Sequence, residues 1–404
     1  MTLENMTGCS KSVLFIGHDA SRTGAPIFLL GFLRWFREHR AVPFRILIKG
    51  RGVLAPDFES VGPVDLFEPD PTLAQRVLRK LRIRKTISNS RHLKLLRRKL
   101  LKSNIGVVYS NTITNGPILD FLSFLNCPVI CHVHELDTWI DITGVERINL
   151  VKKYASSYVA ASNAVKQTLV QKLEIPESKI TTIYEFIAVH DDRENESKAL
   201  VPDIRQELGI GTGAKVVCGC GTMEFRKGTD LFLQVAQRVK ETYRSAPVHF
   251  IWVGGSPGDV SSMRMKARSL CLEDVVHFVG QTQNVNAYYD ASDIYLLTSR
   301  EDSFPLVMLE AAWRGKPIIC FANSGGAPEF VQHDAGVIVP SFDADQMSKS
   351  VVDLVTSDER RIQMGATAKQ RVLDHHDVTV GAPKIARLID DVLLTSEVRQ
   401  CTQL

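Results

Sequence analysis

The chain has 404 residues, 44% of them hydrophobic and 23% charged, with a formal net charge of +4. That balance is ordinary for a globular protein and excludes a disordered chain, a collagen-like repeat and a disulfide-dense miniprotein. At roughly 150 residues per domain the length fits two to three domains; no apolar run nears the ~18 residues of a membrane span, and the polar stretch 1–10 does not read as a signal peptide.

Short β-rich runs alternate with amphipathic stretches along the chain, which is the pattern of βαβ units around a parallel sheet. The first strand is Ser12-Val-Leu-Phe-Ile-Gly17, followed by a polar loop and a helix over 27–37. Further strands are predicted at 45–48, 105–109, 128–133, 157–161 and 180–187. A charged stretch, His190-Asp-Asp-Arg-Glu-Asn-Glu-Ser-Lys198, then reads as a linker. The pattern restarts with strands at 214–220, 248–253, 275–279, 294–297, 317–321 and 336–339, and a helix over 230–243. The fold class expected is therefore α/β, with two Rossmann-like, doubly wound domains at 1–188 and 201–382 joined by a linker at 189–200. Ligands of open parallel sheets bind beyond the carboxyl ends of the strands, and two facing halves would place those ends across a cleft.

One segment stands apart. Residues 75–102 hold twelve Lys and Arg and no acid, so the rest of the chain nets −8 against the +4 total. Leucines 78, 81, 93, 95, 96, 100 and 101 interleave with those charges. Two readings stand: a peripheral contact with an anionic membrane, at ~1 kcal/mol per basic residue, or a solvated helix face. No nucleic-acid module is present to make that polyanion the partner. The eight cysteines form no Cys-x-x-Cys pair, and most lie in apolar runs. They read as free thiols in a reducing cytoplasm rather than as a metal site.

Three loops carry candidate chemistry. The first, His18-Asp-Ala-Ser-Arg-Thr-Gly24-Ala-Pro, joins a strand to a helix, and Gly24 permits close approach to the helix N-terminus. It lacks Gly-x-Gly-x-x-Gly, the dinucleotide fingerprint. The second is Gly221-Thr-Met-Glu-Phe-Arg226-Lys227-Gly228, whose adjacent cations suit a diphosphate or are an ordinary basic pair. The third is Thr298-Ser-Arg-Glu-Asp302-Ser-Phe304-Pro305-Leu306-Val-Met-Leu-Glu310. Glu310 falls among apolar residues of a predicted helix and needs a partner: a ligand hydroxyl or a buried ion pair. Asp302 precedes that helix, where it serves a ligand or caps the helix.

The block from Asp302 to Glu310 resembles the Glu-x7-Glu motif of the retaining GT-B glycosyltransferases of glycosyltransferase family 4. Gly221 to Gly228 looks like that family's phosphate loop, and Val253-Gly-Gly, Phe278-Val-Gly, Tyr288-Tyr-Asp-Ala-Ser-Asp293 and Gly325-Gly-Ala-Pro-Glu329 resemble its other punctuation. The resemblance implies a GT-B fold whose last segment, 383–404, returns to the first domain. It implies Lys227 on the donor diphosphate. Thr222 stands where the family carries an arginine, which leaves it open whether the adjacent Arg226 takes over that contact. Asp302, at a position more often Glu, would hold donor-sugar hydroxyls, and Glu310 the ribose. Phe304, Pro305 and Leu306 lie where the family presents backbone N–H groups to the phosphates. In the first half the family histidine facing the donor sugar corresponds to His134, with His132 on the same strand face. Asn111, Glu135 and Trp139 are candidate acceptor-side residues by strand-end position.

The implied reaction moves a hexose from a nucleotide-diphosphate sugar to a glycan or lipid-linked saccharide, with retention, in cell-surface polysaccharide or glycoconjugate synthesis. No cofactor and no metal is expected, since the lone Asp343-Ala-Asp345 reads as a helix cap. The expected location is cytoplasmic, peripheral on the inner membrane face if the basic segment binds lipid. Two alternatives remain: a sugar-nucleotide epimerase of the same fold, and a catalytically silent sugar-nucleotide-binding scaffold subunit, which the departures at Thr222 and Asp302 keep open.

Overall fold

A computed structural model describes residues 11–69, 90–189 and 203–401, with the side chains of 396–401 left out. The predicted linker at 189–200 and the basic stretch 75–89 lie, apart from Val189, outside the described residues. The chain divides into two compact units. The first comprises Met1–Ala161, Lys166–Ile183 and Ala382–Leu404, and the second Ser162–Val165 and Tyr184–Gly381.

The first unit is built on seven parallel strands: β1 (Ser12–Gly17), β2 (Phe44–Ile48), β3 (Val64–Leu66), β4 (Ile105–Ser110), β5 (Val129–Val133), β6 (Ser157–Ala160) and β7 (Ile180–Thr182). Their order is β3-β2-β1-β4-β5-β6-β7. All six residues of β1 are buried, as expected of a parallel strand covered on both faces. Phe15 on β1 meets Phe32 and Phe36 of the helix Gly24–His39, Phe44 on β2 and Tyr109 on β4, at 5.4–5.8 Å between ring centres. Such edge-to-face pairs add about 0.5–1.5 kcal/mol each beyond the area they bury.

The second unit carries six parallel strands: β8 (Lys215–Cys220), β9 (Val248–Val253), β10 (Val276–Gly280), β11 (Ile294–Leu297), β12 (Ile318–Phe321) and β13 (Gly336–Val339). Their order, β10-β9-β8-β11-β12-β13, repeats that of the first six strands of the other sheet. Phe232 of the helix Thr229–Thr242 packs edge-on against Phe250 and Trp252 of β9 in the core of this unit. Asp343 accepts the amide of Gln346 as the N-cap of the helix Ala344–Thr356, and Asp345 pairs with Arg238, so this Asp-x-Asp is used structurally.

Three sequence expectations need correction. Strand β3 is not among the predicted strands: it is three residues long with an acid at its centre. Asp65 is tolerated there because Arg45 and Lys99 both pair with it. The strand predicted at 180–187 ends at Thr182. Tyr184 bonds Glu329 and Ile187 bonds the His376 carbonyl, so the first unit closes at Ile183 rather than at 188. Residues 162–165 also fall in the second unit, where Glu329 accepts the amides of Asn163 and Ala164. The segment expected to return from 383 starts earlier, in a helix that runs from Val378 to Cys401 with Pro383 inside it. Its part beyond Gly381 belongs to the first unit, where Arg40 pairs with Asp390.

Candidate functional site

In each sheet the strand order reverses direction at one point, between β1 and β4 and between β8 and β11. Ligands of doubly wound sheets bind in the crevice at such a switch point, beyond the strands' carboxyl ends. Most of the candidate residues lie at or beside these two places.

In the second unit the loop after β8 and the loop after β11 are bonded to each other. The Arg300 amide donates to the Arg226 carbonyl at 2.7 Å, and the Thr298 hydroxyl to the Lys227 carbonyl at 3.1 Å. Arg300 forks onto Asp230 at 2.7 and 2.8 Å and donates to the Phe225 carbonyl at 2.7 Å. Gly228 has φ +68°, and a Cβ there would lie 2.0 Å from the Thr298 carbonyl oxygen, so the close approach of the loops requires glycine.

This scaffold brings three predicted residues together. Lys227 Nζ is ion-paired with Asp302 Oδ2, with side chains only 14% and 10% exposed. Ser299 also donates to Asp302 Oδ2, at 3.3 Å. Arg226 Nη1 lies 4.0 Å from the same oxygen and donates to the Glu301 carbonyl at 2.8 Å, while its Nε has no partner among the described residues. Asp302 itself is fixed by its backbone, its amide on the Ser324 carbonyl at 2.8 Å and its carbonyl accepting from Gly326 at 3.1 Å. Both cations therefore stand at a switch point with a single carboxylate between them.

Glu310 lies on the helix Leu306–Trp313, half-buried, as the predicted lone acid among Leu, Met and Ala. Its partner is Tyr289, whose hydroxyl donates to Oε2 at 3.2 Å. Burial raises the Glu310 carboxyl above its usual range, and the Tyr289 bond works against that rise. Burial likewise lifts the neighbouring Cys220 thiol to about 12. The sequence did not pair Tyr289 with Glu310; the Tyr288-Tyr289 punctuation was the available signal. Asp293 of the same punctuation is structural, accepting the Val216 amide and pairing with Arg205.

Phe304 is buried and its ring stacks on His376 at 5.1 Å, so its side chain supports the loop. Pro305 is the N-cap of the helix. Having no N–H, Pro305 cannot present one to a phosphate, and Leu306 begins the helical amides. Thr222 is half-buried in the loop after β8.

The first unit holds a second set. Asn111, just past β4, donates to the Ala25 carbonyl at 2.8 Å, and its Oδ1 accepts from His134 Nε2 at 3.1 Å. This chain of bonds joins Asn111 and His134 to the start of the helix Gly24–His39. A Cβ on Gly24 would meet nothing within 4 Å, so packing does not demand glycine there. His132 lies fully buried beneath His134, their ring centres 4.1 Å apart, and shares a 2.6 Å bond with Tyr109. Burial, then the charge of His134, holds His132 well below the usual imidazole range. Glu135 is buried and committed: it accepts from the Thr112 hydroxyl and from the amides of Ile113 and His134. Trp139 stands apart on the helix Asp137–Thr143, 41% exposed.

Comparison with known proteins bears on the fold and on the second unit. The chain superposes on Anabaena HepE solved with UDP-glucose with a TM-score of 0.75 at 18% identity, covering 94% of this chain and 99% of that one. Sucrose-phosphate synthase from Thermosynechococcus elongatus gives 0.72 at 17% identity, covering 95% and 100%. The fold is thus that of the GT-B glycosyltransferases. Residues 201–371 match the family model of the glycosyl transferases group 1. Among curated relatives, the D-inositol 3-phosphate glycosyltransferase of Corynebacterium aurimucosum is 32% identical over 169 residues, 41% of this chain and 40% of its own. An N-acetyl-alpha-D-glucosaminyl L-malate synthase of Bacillus anthracis is 29% identical over 232 residues, 57% and 56% of the two chains. The aligned part therefore spans about two fifths to just over half the length of these relatives.

Proposed function

We propose that this protein is a retaining glycosyltransferase that moves a hexose from a nucleotide-diphosphate sugar to a glycan or lipid-linked saccharide acceptor. The carrying observation is the group of Lys227, Arg226 and Asp302 at the switch point of the second sheet, with Glu310 on the next helix. Two cations at strand carboxyl ends suit a leaving diphosphate, whose growing negative charge they stabilise in the transition state. Arg226 lies 4.0 Å from the same carboxylate as Lys227, which supports it as the second cation in place of the family arginine missing at Thr222. On this reading Lys227 leaves Asp302 for the diphosphate when donor binds, freeing Asp302 to accept from sugar hydroxyls. Glu310 accepts from the ribose, and the amides from Leu306 onward face the phosphates. His134, held by Asn111, stays the counterpart of the family histidine by sequence position, and Trp139 the acceptor-side candidate. Glu135 drops out of the acceptor set, since its oxygens are spent on Thr112, Ile113 and His134. Same-face transfer needs neither a protein nucleophile nor a metal, and the role belongs to cell-surface glycan assembly in the cytoplasm.

The basic helix Ser90–Leu101 is proposed as a contact with anionic lipid. It buries Leu96 and Leu100 and exposes Leu95 and Leu101 among Arg91, Lys94, Arg98 and Lys102. Among the described residues no helix is long and apolar enough to cross a membrane, so such a contact would lie on the surface. Replacing those four basic residues with Ala should weaken co-sedimentation with phosphatidylserine vesicles; unchanged binding would remove the proposal. Transfer itself is tested by incubating the protein with UDP- and GDP-hexoses in EDTA and reading the product anomer by NMR. An inverted product, or a demand for metal, would contradict the reading.

A further inference from the structure

We infer that Tyr289 is a positioning residue of the donor site: its hydroxyl aims the Glu310 carboxylate at the nucleotide. The inference rests on the donor-site reading above and adds a residue to it. Tyr289 comes from the helix Val285–Ala291 and Glu310 from the helix Leu306–Trp313, two elements with no sequence-local reason to meet. The Tyr289 ring is fully buried, packed edge-on to Tyr295 at 5.8 Å. A phenylalanine would fill that space equally well, so packing leaves the hydroxyl unexplained. The hydroxyl reaches Glu310 Oε2 at 3.2 Å. Cys220, the last residue of β8, lies close enough for the Tyr289 hydroxyl to lower its thiol against the larger rise from burial.

The consequence is geometric first. A carboxylate on a helix has rotamers to choose from, and a fixed donor on one oxygen leaves the other lone pairs directed at a ligand. Holding a binding group within a few tenths of an ångström by a supporting hydrogen bond is what makes a polar site precise. The second consequence is electrostatic. The titratable groups that interact with Glu310 are Tyr289, Tyr295 and Cys220; Lys227 acts on Cys220, and Cys218 and Asp302 on Tyr295. Burial raises the Glu310 carboxyl, and the Tyr289 bond is what opposes the rise. Only the ionised carboxylate accepts from both ribose hydroxyls, so donor binding should fall as the pH drops through the Glu310 titration. Removing the hydroxyl moves that acid limb to higher pH.

The experiment is calorimetric titration of UDP and GDP into the full-length protein across pH 5 to pH 8.5, in wild type, Tyr289→Phe, Tyr288→Phe and Glu310→Ala. Tyr289→Phe should weaken the bound nucleotide about tenfold at neutral pH, the scale of one hydrogen bond to a charged group, and shift the acid limb upward. Tyr288→Phe, one residue away on the same helix, should change neither. A Tyr289→Phe protein that loses affinity equally at every pH, or not at all, would overturn the inference while Glu310→Ala still abolishes binding. If Glu310→Ala binds like wild type, or neither nucleotide binds wild type, the donor-site reading falls and this inference with it.

Discussion

Lys227 is ion-paired with Asp302, 75 residues further along the chain. The pair ties the loop after β8 to the loop after β11, the two strands between which the sheet order reverses. Because both side chains are largely enclosed, removing one strands the other. Lys227→Ala and Asp302→Ala should therefore each lower stability, and the double variant should be less destabilised than the sum of the two. A coupling of about 0.5–3 kcal/mol in urea titrations is expected, and strict additivity would show that the pair is idle. Transfer by Lys227→Ala should drop by about 10²–10³, the scale of losing one charge-stabilising group.

Gly228 separates the cations from the helix Thr229–Thr242. Gly228→Ala places a left-handed Cβ against the Thr298 carbonyl, so the loop must move. The backbone term alone costs about 1–2 kcal/mol. Thermal unfolding should show a lower midpoint, and nucleotide affinity should fall with it; a variant matching wild type in both would mean that the loops are not held this closely.

Glu135 supplies a contrasting case. Glu135→Ala leaves the Ile113 and His134 amides and the Thr112 hydroxyl without their acceptor, at about 1–3 kcal/mol for each buried group stranded. The variant should lose stability in denaturant titration while the acceptor KM stays near wild type in whatever fraction remains folded. A raised acceptor KM with unchanged stability would restore Glu135 to the acceptor side.

His249 and His277 share a 3.0 Å bond between β9 and β10. Burial, with the charge of its partner, holds His277 down to about 4, and burial also lowers His249. A histidine depressed in the folded state binds its proton more readily when unfolded. Stability is therefore present above the ordinary imidazole value of about 6.5 and is lost as pH falls from there towards about 4. The buried His132 titrates in the same direction. Urea midpoints should decline across that window, and His277→Gln should decline less; an equal slope would place the acid sensitivity elsewhere.

Much of the second unit was legible because its signals are local. The spacing of Asp302 and Glu310, the paired cations before Gly228 and the apolar strands are all read within a dozen residues. Contacts between distant segments were not. Tyr289 and Glu310 are 21 residues apart on separate helices, and Glu329 reaches Asn163 and Tyr184 across more than a hundred residues. Strand β3 escaped detection because Asp65 breaks its apolar pattern, and its neutralisation by Arg45 and Lys99 is visible only in three dimensions. Pro305 shows the opposite failure: a motif match assigned it an N–H that its ring does not have.

The central claim is that Lys227, Arg226, Asp302 and Glu310 form a nucleotide-diphosphate sugar site. The most direct measurement is a thermal-shift panel of UDP, GDP, ADP, TDP and their hexose conjugates without added metal, on wild type and Glu310→Ala. One nucleotide series should raise the melting point, with about 2.7 kcal/mol of stabilisation at about 100 times its dissociation constant, and Glu310→Ala should erase the shift. A wild-type protein that no nucleotide shifts would contradict the donor site and bring forward the silent scaffold in its place.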